Sequence, residues 1–158
     1  MRVLAEVLFA RIAGRDLRFQ VARLDLERSR RDPDTAVREF ADARLGEPDA
    51  LRVVHSTSWR YERGRIVLSY LVYSDRLAPP GRSRRARVDA LPSPEEPARD
   101  ARERDRAVAS HALRHLAFLV AEDPDEYRAK LSADTLRALR PLKPAAAGRV
   151  RHTSRDRD

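Results

Sequence analysis

Hydrophobic positions in this chain recur at two periods. In the first half they alternate, as on a pleated strand. Val3, Ala5, Val7 and Phe9 interleave with Leu4, Glu6 and Leu8, and Leu17, Phe19 and Val21 interleave with Arg18, Gln20 and Ala22. These runs predict two strands, Arg2 to Ile12 and Leu17 to Leu26, joined as a hairpin with Gly14 in its turn. Leu51 to Tyr73, LRVVHSTSWRYERGRIVLSYLVY, predicts a second hairpin. It is rich in the β-branched and aromatic residues that suit a half-buried pleat, and Gly64 supplies the positive φ of a tight turn. Strict alternation places Val53, His55, Thr57, Trp59 and Tyr61 on one face, with Val54, Ser56, Ser58 and Arg60 on the other. The second strand of this hairpin is apolar on both faces from Ile66 to Tyr73. That predicts a place inside the sheet, covered on both sides.

The helical period appears in three segments. Asp32-Pro33-Asp34 is a start signal, an acidic cap followed by proline at the first helical position. The helix it opens carries Val37, Phe40 and Ala41 on its apolar stripe and stops at Gly46. A long helix from about Ala98 to Glu122 shows Val108, Ala109, Ala112, Leu113, Leu116, Leu119 and Val120 on one broad face. Asp123-Pro124 ends it and starts another, which carries Tyr127, Leu131, Leu136 and Leu139 and breaks near Ser132. Between the second hairpin and the long helix, residues 74–97 hold Pro79-Pro80-Gly81, an arginine run and Pro92, Pro94 and Pro97. They predict a mobile loop, in which Arg87 to Leu91 adds a short edge strand. The expectation is an α+β fold, a mainly antiparallel or mixed sheet from two hairpins flanked by helices.

Composition bounds this picture. The chain has 158 residues and is 42% apolar, enough for one domain over residues 1–140 with a core. Residues 141–158 lack a core pattern and read as a disordered basic tail. The chain has no cysteine, which excludes disulfides and thiolate chemistry and fits a cytoplasmic protein. No stretch approaches the length of a membrane span. The net charge of +8 lies mostly in the loop and the tail. Nucleic acid binding through Arg82, Arg84, Arg85, Arg87 and the tail would be weak, salt-sensitive and non-specific, since no aromatic residues interleave with the arginines.

Two constellations carry candidate chemistry. His111 and His115 are four residues apart and therefore neighbours on the long helix. Phe118 and Glu122 continue their stripe. If the helix covers the hairpin face bearing His55, then His55, Trp59, His111, His115 and Glu122 form a ligand-binding pocket, polar at one end and aromatic at the other. Three imidazoles, or two with a carboxylate, suit zinc or acid–base work. The alternative is a set of boundary histidines that hydrogen-bond hydroxyls or backbone groups. The Ser56 to Tyr61 run likewise suits either phosphate or ring recognition, or a strand with one wet face. No P-loop, nucleophile elbow or dinucleotide fingerprint is present.

The segment Ala36-Val37-Arg38-Glu39-Phe40-Ala41-Asp42-Ala43-Arg44-Leu45-Gly46 resembles the core of the Nudix box, with Arg38 and Glu39 in the place of its Arg-Glu pair and Asp42 at its first following acid. The box's second acid is replaced by Ala43, its Gly-rich lead-in is missing and Gly46 falls one place late. The resemblance implies a Nudix-like fold over at most residues 2–122. With those acids absent it implies a non-catalytic ligand-binding or interaction module. The alternative it implies is a hydrolase of nucleoside diphosphate-type substrates, using Glu39 and Asp42 with Mg²⁺ or Mn²⁺.

Overall fold

The computed structural model describes residues 2–49, 51–93 and 96–149. Its centre is a mixed sheet. Strand β1 (Arg2–Ala13) turns back into β2 (Asp16–Asp25), and α1 (Pro33–Leu45) leads to β3 (Val53–Glu62) and β4 (Arg65–Tyr73). An edge strand β5 (Arg84–Arg87) precedes α2 (Ala101–Glu122), α3 (Pro124–Lys130), α4 (Ala133–Leu139) and a two-residue strand β6 (Gly148–Arg149). The order across the sheet is β5-β2-β1-β4-β3-β6. The two hairpins lie side by side, with β1 and β4 paired in parallel at the centre.

Local chemistry accounts for the element ends. Asp32 accepts a hydrogen bond from the Thr35 amide at the start of α1, and Gly46 closes the helix at φ 82°. Arg63 and Gly64 both take positive φ, 46° and 79°, in the two-residue turn of the second hairpin. That is the turn whose twist matches its strands.

Because the central strands are apolar on both faces, the sheet is covered on both. Ala5, Val7, Phe9, Tyr70 and Val72 pack against Ala36, Val37 and Ala41 of α1. Leu8, Ala10, Ile12, Leu71 and Tyr73 pack against Ala109, Ala112, Leu113 and Leu116 of α2, with Tyr127 and Leu139 of the shorter helices. Two tyrosines pin helices to the sheet. The Tyr70 hydroxyl donates to Asp34 at the start of α1. The Tyr73 hydroxyl meets Thr135 of α4 at 2.7 Å and donates to Asp75 at 2.8 Å, and Asp75 in turn accepts from the Ser132 amide at 2.7 Å. Among the described residues no helix is long and apolar enough to cross a membrane.

Three expectations meet a different structure. The edge strand is Arg84–Arg87 rather than Arg87 to Leu91: the Val88 amide bonds the Arg15 carbonyl, Val88 is buried, and the chain turns there. Much of the segment expected as a mobile loop is thereby tied to the sheet; Pro94 and Glu95 lie outside the described residues. The chain after residue 140 also joins the domain. Leu142 is buried, the Ala145 amide bonds the Arg114 carbonyl of α2, and β6 pairs with β3 at Ser58 and Trp59. The rest of the expected tail, 150–158, lies outside the described residues.

Candidate functional site

Strand β3 does not alternate throughout. Ser56 stands opposite Tyr70 and Ser58 opposite Ser69, so Thr57 is an inserted bulge residue. An extra residue exchanges the faces of everything beyond it. Val53 and His55, opposite Tyr73 and Leu71, face α2. Beyond the bulge Ser58 and Arg60 face α2, while Trp59, opposite Leu68, is on the α1 face. The expectation that Trp59 shares a face with His55 is therefore corrected. Trp59 is 41% exposed and lies on the other face of the sheet from His55. The expectation of a wet Ser56–Ser58–Arg60 face is corrected by the same residue, because Ser58 and Arg60 are buried.

The structure brings His55 and His115 into contact. His115 is 1% exposed. Its Nδ1–H donates to the Ala145 carbonyl at 3.1 Å, since a carbonyl only accepts. Its Nε2 therefore carries a lone pair. His55 Nδ1–H supplies the proton, shared between that nitrogen and the Ser56 carbonyl, both at 2.9 Å. Phe118 stacks on the other side of His115 at 5.9 Å. Burial lowers His115 from the usual 6.5 to about 4, against the pull of the Ala145 carbonyl. His111 donates from Nε2 to the carbonyl of the bulge residue Thr57 at 3.1 Å, and burial lowers it as well.

Three of the five predicted pocket residues thus lie at one contact between α2 and β3, but each is engaged with backbone. Glu122, the last residue of α2, is exposed and forms no hydrogen bond or ion pair among the described residues. Among the described residues no three His, Asp or Glu side chains are arranged to hold a metal ion.

The Nudix-like acids lie on the opposite layer. Asp42 accepts from Arg52 Nη1 at 2.8 Å, and the Arg52 side chain is buried. Glu39 is exposed, 3.7 Å from Arg31.

Arg60 and Glu6 form a buried ion pair that no sequence motif marks. Arg60 reaches Glu6 with two hydrogen bonds, 2.9 and 3.0 Å, and Ser69 adds a third at 3.3 Å. Burial raises the Glu6 pKa, but the Arg60 guanidinium and the Arg23 charge outweigh it, and the carboxyl titrates below its usual value. The signal was in the chain. Glu6 is the one acid in the apolar central strand β1, and a buried carboxylate needs a partner.

Two cavities flank the sheet's β5 side. One, of about 640 Å³, is lined by Gly14, Arg15, Val88, Asp89, Asp134 and Arg137, among others. Its charges are largely paired: Arg87 holds Asp89 at 2.9 Å and Arg137 holds Asp134 at 3.0 Å. The other, of about 570 Å³, opens between β5, β2 and the first turns of α2. It is lined by Phe19, Arg84, Arg85, Arg102 and Arg106. Phe19 and Arg84 are paired across the two strands, and Arg102 and Arg106 are one helical turn apart on α2. Arg84 lies 3.6 Å from Asp105, whereas Arg85 and Arg102 make no hydrogen bond or ion pair among the described residues. The Arg106 Nε is buried without a hydrogen-bond partner. The chain matches no protein-family model, no curated protein and no solved structure.

Proposed function

We propose that this domain is a non-catalytic ligand-binding module and that its ligand is a small anion held in the arginine-lined cleft. The observation that carries this is a charge imbalance. Four arginines line one cavity, and among the described residues the one carboxylate paired with any of them is Asp105, beside Arg84. Clustered like charges repel, and an anion bound between them relieves the repulsion with charge-assisted hydrogen bonds. The histidine cluster supports a scaffolding part, because its hydrogen bonds go to Ser56, Thr57 and Ala145 of the same chain. The absence of cysteine suits a cytoplasmic setting.

Calorimetric titration with citrate, inorganic phosphate and pyrophosphate tests the proposal. Binding of at least one, weakened tenfold or more in an Arg102→Ala/Arg106→Ala variant, is the expected result. Binding of none, or equal binding by the variant, would overturn it. The hydrolase alternative is tested in parallel with nucleoside diphosphates and Mg²⁺ or Mn²⁺. Turnover abolished by Glu39→Gln would replace the binding proposal with that one.

A further inference from the structure

The cleft has an anion of this chain beside it. Asp105 lies on α2 between Arg102 and Arg106, and its carboxylate faces Arg84 of the edge strand. The pair is loose. At 3.6 Å it is longer than a charge-assisted hydrogen bond, and the Arg84 side chain is 47% exposed. The Arg60–Glu6 pair, at 2.9 and 3.0 Å with both side chains buried, shows what a permanent ion pair looks like in this protein. Asp105 is also an uneasy anion. Burial raises its pKa and the nearby Glu6 carboxylate adds to the effect, with Arg84, Arg104 and Arg23 acting against them.

We infer that Asp105 stands in for a ligand phosphate on Arg84, and that the cleft takes a multiply charged phosphate compound, pyrophosphate or longer, by exchange of Arg84 from Asp105 to a phosphate oxygen. This rests on the anion-binding proposal above and adds the ligand's class and the residue that competes with it. Charge sets the class. Four lining arginines against the Asp105 carboxylate leave an excess of positive charge, which one carboxylate group or chloride does not match and a diphosphate or triphosphate does. Geometry agrees. Planar guanidinium forks reaching from both β5 and α2 suit oxygens on more than one phosphorus. A cavity of about 570 Å³ has room for more than a single phosphate. Arg106 is held beside the cavity by its Nη2 bond to the Ala90 carbonyl at 3.2 Å.

The test is titration of the full chain at low salt with inorganic phosphate, citrate, pyrophosphate, tripolyphosphate and a thymidine oligonucleotide. Affinity should rise at least tenfold from phosphate to tripolyphosphate. Asp105→Asn should tighten pyrophosphate binding severalfold, because it releases Arg84. In an Arg84→Ala background the same Asp105→Asn change should have no effect, which separates competition for Arg84 from any general change in the fold. If citrate and phosphate bind as tightly as tripolyphosphate, or if Asp105→Asn weakens binding, the exchange is wrong while anion binding stands. If no anion binds, both fall. An oligonucleotide that binds more tightly than tripolyphosphate would overturn the small-ligand assignment in favour of a nucleic acid backbone.

Discussion

The two ends of α2 use polar side chains in opposite ways. Towards its C-terminal end, His111 and His115 meet β3, and their hydrogen bonds go to carbonyls of the chain and to His55. Towards its N-terminal end, Arg102 and Arg106 border a cavity in which positive charge exceeds negative. The histidines were candidates by residue type and spacing, whereas Arg102 and Arg106 carried no sequence motif and come to notice only through the cavity they line. Partnership distinguishes them. A buried imidazole whose protons already rest on backbone oxygens holds elements together, and removing it leaves those oxygens unpaired. Arg106 donates to the Ala90 carbonyl at 3.2 Å, but Arg102 has no partner among the described residues; such a guanidinium beside a cavity contributes little to the fold and is available to a ligand. Residue type nominates a site, and the state of its hydrogen bonds decides what it does.

Stability measurements would break this comparison most directly at the buried charges. Arg60→Ala leaves the Glu6 carboxylate buried without its main partner and should cost about 3–5 kcal/mol in urea unfolding. Arg102→Ala should stay within about 0.5 kcal/mol. Equal losses would mean that the cleft arginines are structural too. Next in size, His115→Ala removes a buried ring and its bonds to His55 and Ala145. It should cost about 2–4 kcal/mol while changing pyrophosphate affinity less than twofold.

A pH titration sharpens the same contrast. His115 binds its proton less readily in the folded chain, at about 4, than at the usual 6.5. Between those values the unfolded chain takes up a proton that the folded chain refuses, so stability falls as pH drops through this window. Unfolding followed from pH 7 to pH 4 should show that loss in the unmodified protein. His115→Gln should flatten that part of the profile, whatever its stability at pH 7. An unchanged slope would show that the imidazole is not held neutral. The smallest effect is expected at Glu122. Because Glu122 is exposed at the end of α2, Glu122→Ala should change stability by less than about 0.5 kcal/mol and leave both clusters unaltered.

Much of the fold was legible because its signals are local. Asp32-Pro33 and Gly46 bound α1 through bonds and dihedrals that involve only their neighbours. Arg63-Gly64 sets the second hairpin in the same way. The apolar run from Ile66 to Tyr73 marked β4 as a strand covered on both sides, and it lies between β1 and β3. The candidate site was less legible. The long helix does bring His115 to His55, but Trp59 fell on the wrong face because one residue, Thr57, interrupts the alternation.

The sequence by itself determined where the two hairpins and the main helices form and how those helices are capped, and it set an acid, Glu6, among the apolar residues of β1. Only the tertiary structure decided the parallel pairing of β1 with β4, the bulge at Thr57 and the partner of Glu6, Arg60. It also decided which arginines are neutralised, as Arg52 and Arg87 are, and which line a cavity with their charge in excess. The reason is range. Capping and turn formation are set by bonds between near neighbours. Register and charge compensation depend on residues that meet only after the sheet has assembled, such as Glu6 and Arg60, 54 positions apart.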